Sequence, residues 1–109
     1  MDIDKSNFRQ FILQVPNQFE EGLSLAKDVK VSGNFSKVCI SGMGGSALPA
    51  NLLRTYIHSL SDNKKFDIFI NRYYSLPPET KDKDTLHFVA SFSGNTEEVL
   101  SAYDEAKAA

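Results

Sequence analysis

Three short runs rich in β-branched and aromatic residues alternate with helical patterns along this chain, and that alternation narrows the possible folds more than any other feature. The runs are Lys37–Ser41 (KVCIS), Phe66–Asn71 (FDIFIN) and Thr85–Ser91 (TLHFVAS). Near-continuous apolar strands of this kind suit a parallel sheet covered on both faces. Between the first two, the segment from Ala47 to Leu60 gathers Leu48, Leu52, Leu53, Tyr56, Ile57 and Leu60 within one half of a helical wheel, with Asn51, Arg54, Thr55, His58 and Ser59 in the other. This predicts an amphipathic helix lying on the sheet. Asp62 and Asn63, followed by a solvated turn at Lys64 and Lys65, end that helix, and Pro77 and Pro78 mark a loop between the second and third strands.

A last helix is predicted from about Asn95, with Val99, Ala102, Tyr103 and Ala106 on one face and Glu97, Glu98, Ser101, Asp104 and Glu105 on the other. Asn95 and Glu98 are spaced as a capping box, and the acidic first turn suits the positive end of the helix dipole. At the other end, Phe8, Phe11, Ile12 and Val15 keep helical spacing, Pro16 interrupts, and Phe19, Leu23, Ala26 and Val29 resume it. Within residues 1–34 this reads as two leading helices meeting at the proline. Strand, helix, strand, loop, strand, helix is the opening of an α/β doubly wound parallel sheet, here about three strands with flanking helices and right-handed crossovers. Such a sheet leaves an edge uncovered, and the chain stops at AKAA without a helix-ending signal, so residues 1–109 are expected to be the N-terminal portion of a larger domain.

Composition removes several function classes. A formal net charge of -2 supplies no basic field for nucleic acid or an anionic membrane surface. No window approaches the roughly 18 apolar residues of a membrane span, and the opening MDIDKSNF lacks the pattern of a secretory leader, so the cytoplasm is the expected compartment. Cys39 is the single cysteine, which rules out an internal disulfide or a multi-cysteine metal site within the chain and reads as a small buried hydrophobe on the first strand.

Two loops carry the candidate chemistry, and each follows a strand and precedes a helix. The first is Ser41-Gly42-Met43-Gly44-Gly45-Ser46, where three glycines let the backbone turn sharply and approach a ligand, and Ser46 is placed to cap the next helix or donate a hydrogen bond. The second is Ser91-Phe92-Ser93-Gly94-Asn95-Thr96, three hydroxyls and a glycine ahead of a helix N-terminus. Free amides and the helix dipole favour an anion there, and phosphate suits it. If the first and third strands are neighbours, with the second outside the first, both loops flank the switch point where open α/β sheets bind ligands. Neither loop holds Lys or Arg. Neutral donors and helix dipoles would then hold a dianion, as suits a reversibly bound metabolite.

Other readings of the same residues are plainer. The Ser and Thr side chains are also the ones that cap helices. Gly42, Gly44 and Ala47 nearly write the dinucleotide fingerprint G-x-G-x-x-G/A, but the second strand ends in Asn71 and Arg72 where an acidic residue is expected, although Arg72 would suit a 2′-phosphate. A nucleotide P-loop needs a lysine that neither loop has. His58, on the polar face of its helix, reads as solvated, and His87 lies early in the third strand, on the side away from the crevice. Tyr73 and Tyr74 are expected to cover a sheet edge.

The segments GMGGSALPANLL and SFSGNTEEVLSAYDEA, with VPNQFEEGLSLA and RYYSLP, resemble the sugar isomerase (SIS) domain in the version found in bifunctional phosphoglucose/phosphomannose isomerases. The resemblance covers essentially the whole chain. It implies a flavodoxin-like, five-stranded parallel sheet that binds phosphorylated sugars at its strand ends, usually in a homodimer of two-domain subunits. The phosphate contacts would be the backbone around Gly45 with Ser46, and the hydroxyls of Ser91, Ser93 and Thr96; Phe92 stands where tyrosine is common. The reaction implied converts glucose 6-phosphate and mannose 6-phosphate to fructose 6-phosphate, with no cofactor and no metal. It would use a glutamate, a histidine and a lysine located downstream, so no catalytic residue is expected in this segment, and Glu97 and Glu98 are read as unpaired solvent-facing side chains. Regulators that sense sugar phosphates and glucosamine 6-phosphate synthases use the same domain and supply the alternative function, a phosphosugar-binding module.

Overall fold

The computed structural model describes residues 3–60 and 66–109; the turn expected at Asp62, Asn63, Lys64 and Lys65 lies outside the described residues. The chain divides into two compact units, residues 1–33 and 34–109.

In the first unit, one helix, α1 (Phe8–Ala26), runs through Pro16 where two were expected. The apolar positions keep a single helical phase on both sides of the proline, so a continuous helix satisfies both runs. Pro16 costs only its own N–H bond and local crowding. Asp4 holds the start of α1, its Oδ1 accepting the Phe8 N–H at 2.7 Å and its Oδ2 the Arg9 N–H at 2.9 Å.

The second unit contains β1 (Lys37–Gly42), a 3₁₀ turn at Gly44–Ala47, α2 (Leu48–Ser59), β2 (Asp67–Asn71), a 3₁₀ turn at Pro78–Thr80, β3 (Thr85–Ala90) and α3 (Glu97–Ala108). All strand pairs are parallel and the order is β2-β1-β3. The central strand β1 therefore aligns Ser41 with Asn71 on one side and Gly42 with Ala90 on the other. This is the α/β doubly wound arrangement expected from the sequence, with β1 and β3 adjacent.

Leu76 from the β2–β3 connection and Ala102 from α3 meet on Cys39, with Phe69 and Ala106 packed around them. That connection and α3 thus cover one face of the sheet, and right-handed crossovers assign α2 to the other. Burial raises the pKa of the Cys39 thiol, as befits a small core side chain. α2 is amphipathic as expected, but its largest apolar residues are not the buried ones: Ala50 is buried while Leu48, Leu52 and Tyr56 are exposed. Within α2 the buried position is Ala50, and the Ala47 that precedes the helix is buried as well.

Polar contacts clamp the β2–β3 connection. Glu105 of α3 accepts the Leu76 N–H at 2.5 Å and the Lys81 ammonium at 2.7 Å. Lys37 reaches the Glu79 carbonyl at 2.7 Å and pairs with Asp82. His87 donates from Nε2 to the Thr80 carbonyl at 2.9 Å, a structural role in agreement with its distance from the loops. His58 is exposed. Tyr73 and Tyr74, expected to cover a sheet edge, are both exposed.

The clamp makes stability depend on pH. Lys81, then the Leu76 N–H, hold the Glu105 carboxyl below its ordinary range, and Lys37 with Thr85 does the same for Asp82. A carboxyl whose folded pKa is depressed contributes stability that is complete above its unfolded value, about 4, and lost as pH falls through the folded one. Thermal melts of the full-length protein are expected to show Glu105→Gln below wild type at pH 7, with the gap closing as pH drops below about 4. A gap independent of pH would contradict this.

Candidate functional site

The second loop forms a cluster of hydroxyls. Ser91 Oγ lies 2.8 Å from Thr96 Oγ1 and 3.4 Å from Ser93 Oγ, and Ser93 Oγ lies 3.5 Å from Thr96 Oγ1. The loop's own amides orient two of them: the Gly94 N–H donates to Ser91 Oγ at 3.0 Å and the Asn95 N–H to Ser93 Oγ at 3.2 Å. A hydroxyl has one proton and two lone pairs, so accepting from an amide leaves its proton free to donate. Gly94 has φ +70°, a left-handed conformation that glycine adopts without a Cβ clash.

α3 starts directly after this cluster, with Thr96 at its N-cap. The capping box expected from Asn95 and Glu98 does not form. Asn95 falls one position outside the cap, and the Thr96 hydroxyl faces Ser91 rather than the helix. The amides of the first turn are left without helical acceptors beside three hydroxyls, which favours an anion. Glu97 is not unpaired as expected: the Tyr74 hydroxyl donates to its Oε2 at 3.2 Å, and that carboxylate raises the phenol's pKa.

The first loop follows the central strand. Gly44 has φ +53°, and the 3₁₀ turn then carries Ser46, whose N–H donates to the Met43 carbonyl at 3.0 Å. Ser46 does not cap α2, because the extra turn moves the N-cap to Ala47. Among the described residues the Ser46 hydroxyl has no hydrogen-bond partner, and none joins it to the Ser91 cluster. What links the loops is Gly42. A Cβ there would stand 3.0 Å from the Ser46 carbonyl oxygen and 3.3 Å from that of Ala90, the last residue of β3. Gly45 is exposed, and a Cβ on it would meet nothing within 4 Å.

The strand order thus places the Gly45–Ser46 loop and the Ser91, Ser93 and Thr96 cluster at the C-terminal ends of adjacent strands, where the order reverses. One residue of this region, noted in the sequence only as the non-acidic end of the second strand, has a structural role there. Asn71 is buried at the end of β2 and bonded to Ser41 and Tyr73; a polar residue closing an apolar strand was the available signal. Its engagement there removes it from any ribose, which weighs against a dinucleotide. Among the described residues no group of His, Cys, Asp and Glu is arranged to hold a metal ion, and no helix is long and apolar enough to cross a membrane.

Comparison with known proteins returned bifunctional phosphoglucose/phosphomannose isomerases. That of Caldicellulosiruptor bescii is 40% identical over 100 residues, covering 89% of this chain and 28% of the relative. The Aquifex aeolicus protein is 39% identical over 90 residues, 83% of this chain and 26% of the relative. That of Thermoplasma volcanium is 36% identical over 96 residues, 82% of this chain and 29% of the relative. No protein-family model and no solved structure matches the chain. In sequence these residues are similar to the bifunctional phosphoglucose/phosphomannose isomerases, and they span a little over a quarter of the length of the curated relatives they match.

Proposed function

We propose that this segment binds the phosphate of a hexose phosphate as part of a sugar isomerase (SIS) domain, and that the full-length protein converts glucose 6-phosphate and mannose 6-phosphate to fructose 6-phosphate. The observation that carries the reading is the convergence of the Ser91, Ser93 and Thr96 hydroxyls at the start of α3, one strand away from the open Gly45–Ser46 loop. An anion entering there would replace the hydroxyl-to-hydroxyl bonds with charge-assisted ones, and the first-turn amides of α3 would add the dipole. With no cation in either loop, binding would be reversible, as a substrate requires.

Aldose–ketose interconversion passes through an enediol and needs a general base beside the C1 and C2 hydrogens. Here the share of this segment is to anchor the phosphate and so fix the sugar against that base. The groups that move protons come from the rest of the full-length polypeptide. Holding the substrate at its non-reacting end serves catalysis by orientation.

A coupled assay on the full-length protein is expected to show turnover of both glucose 6-phosphate and mannose 6-phosphate, with competitive inhibition by inorganic phosphate. Binding of fructose 6-phosphate without turnover would favour the module of a regulator or of a glucosamine 6-phosphate synthase. Binding of NAD or NADP in place of sugar phosphate would reject the reading.

A further inference from the structure

We propose that Asn71 is a positioning residue for the phosphate site, acting through Ser41 on the glycine loop; this rests on the phosphate reading above. Asn71 is 2% exposed and Ser41 is 2% exposed, and they are register partners at the crevice ends of β2 and β1. A buried carboxamide is costly unless its hydrogen bonds are made. Here they are: Nδ2 donates to Ser41 Oγ at 3.3 Å and to the Tyr73 carbonyl at 3.1 Å, and Oδ1 accepts the Tyr73 N–H at 3.2 Å. One side chain thereby ties the exit of β2 to the β1 residue directly before Gly42.

Gly42 passes that constraint on. Its Cα sits so close to the Ser46 and Ala90 carbonyls that even a methyl group would crowd both. Ser46 belongs to the first loop and Ala90 leads directly into Ser91. Close-packed interiors transmit displacement rather than absorb it. A shift of Ser41 therefore moves both halves of the phosphate site together, whereas a shift of Leu76 or Ala102 does not pass through this route. Asn71 touches no part of the ligand in this arrangement; it sets where the glycine loop stands.

The test uses full-length protein carrying Asn71→Leu, which keeps the approximate volume and loses the hydrogen bonds, and Ser41→Ala, which removes the other end of the same bond. Ki for inorganic phosphate and KM for the sugar phosphate are each expected to rise roughly 3- to 30-fold in both variants, with kcat within about twofold, because the interaction lost is uniform binding. The double variant should be no worse than the poorer single one, since both changes cut the same link. Lower melting temperatures with unchanged Ki would overturn the proposal and leave Asn71 an ordinary buried polar residue. Should Asn71→Leu fail to fold, Ser41→Ala decides the question by the same criterion. Wild-type protein indifferent to phosphate would sink the phosphate reading and this role with it, whereas normal wild-type inhibition with unaltered variants would sink the Asn71 role alone.

Discussion

Replacing Gly42 by alanine is expected to destabilise the full-length protein by about 1–3 kcal/mol, the usual cost of forcing an extra carbon into a packed site. The new methyl would meet the Ser46 carbonyl oxygen at 3.0 Å, its carbon at 3.2 Å and the Ala90 carbonyl oxygen at 3.3 Å. All three are backbone atoms, so relief requires the first loop or the end of β3 to move. Phosphate affinity should fall with stability. Gly45→Ala is the control three residues on, where a methyl meets open space. Stability there should stay within about 0.5 kcal/mol of wild type, while phosphate binding is expected to weaken because the methyl would enter the space proposed for the phosphate. Denaturant midpoints alongside phosphate inhibition separate the two effects. An unshifted midpoint for Gly42→Ala would show that the loops are not held against each other as described.

Removing hydroxyls from the second loop is expected to weaken sugar-phosphate binding by about 10- to 100-fold. A hydrogen bond to a charged group contributes roughly 1.5–3 kcal/mol, and each 1.4 kcal/mol is about tenfold. Ser93 is exposed, so Ser93→Ala should fall near the lower bound. Ser91 also accepts the Gly94 N–H at 3.0 Å and faces Thr96 at 2.8 Å, so Ser91→Ala loosens the loop as well and should approach the upper bound. Because the hydroxyls contact one another, the double variant should fall short of the sum. Titration of full-length protein with fructose 6-phosphate measures all three, and unaltered affinity in both single variants would reduce these side chains to loop structure.

The features that sequence reasoning missed share a cause. Pro16 is a local signal for a break, whereas the shared helical phase of Phe8 to Leu23 extends across it. The Asn95–Glu98 capping box was a correct spacing one residue out of place, and only the observed turn shows Thr96 at the cap with its hydroxyl committed to Ser91. For α2, counting large apolar residues points to the leucine side, but the buried residue is Ala50. Tyr74 and Glu97 are 23 residues apart, and no pattern along the chain pairs them.

By itself, the sequence determined the order of strands and helices, the α/β class and the position of both loops, since hydrophobic period, turn residues and glycine content act over a few neighbouring residues. The tertiary structure alone decided that β1 lies between β2 and β3, which brings the Gly45–Ser46 loop next to the Ser91, Ser93 and Thr96 cluster. It also decided that Asn71 turns inward to Ser41 and that Gly42 has no room for a side chain. These are contacts between segments tens of residues apart, set by strand pairing and close packing, and neither force leaves a mark in the local pattern of residues.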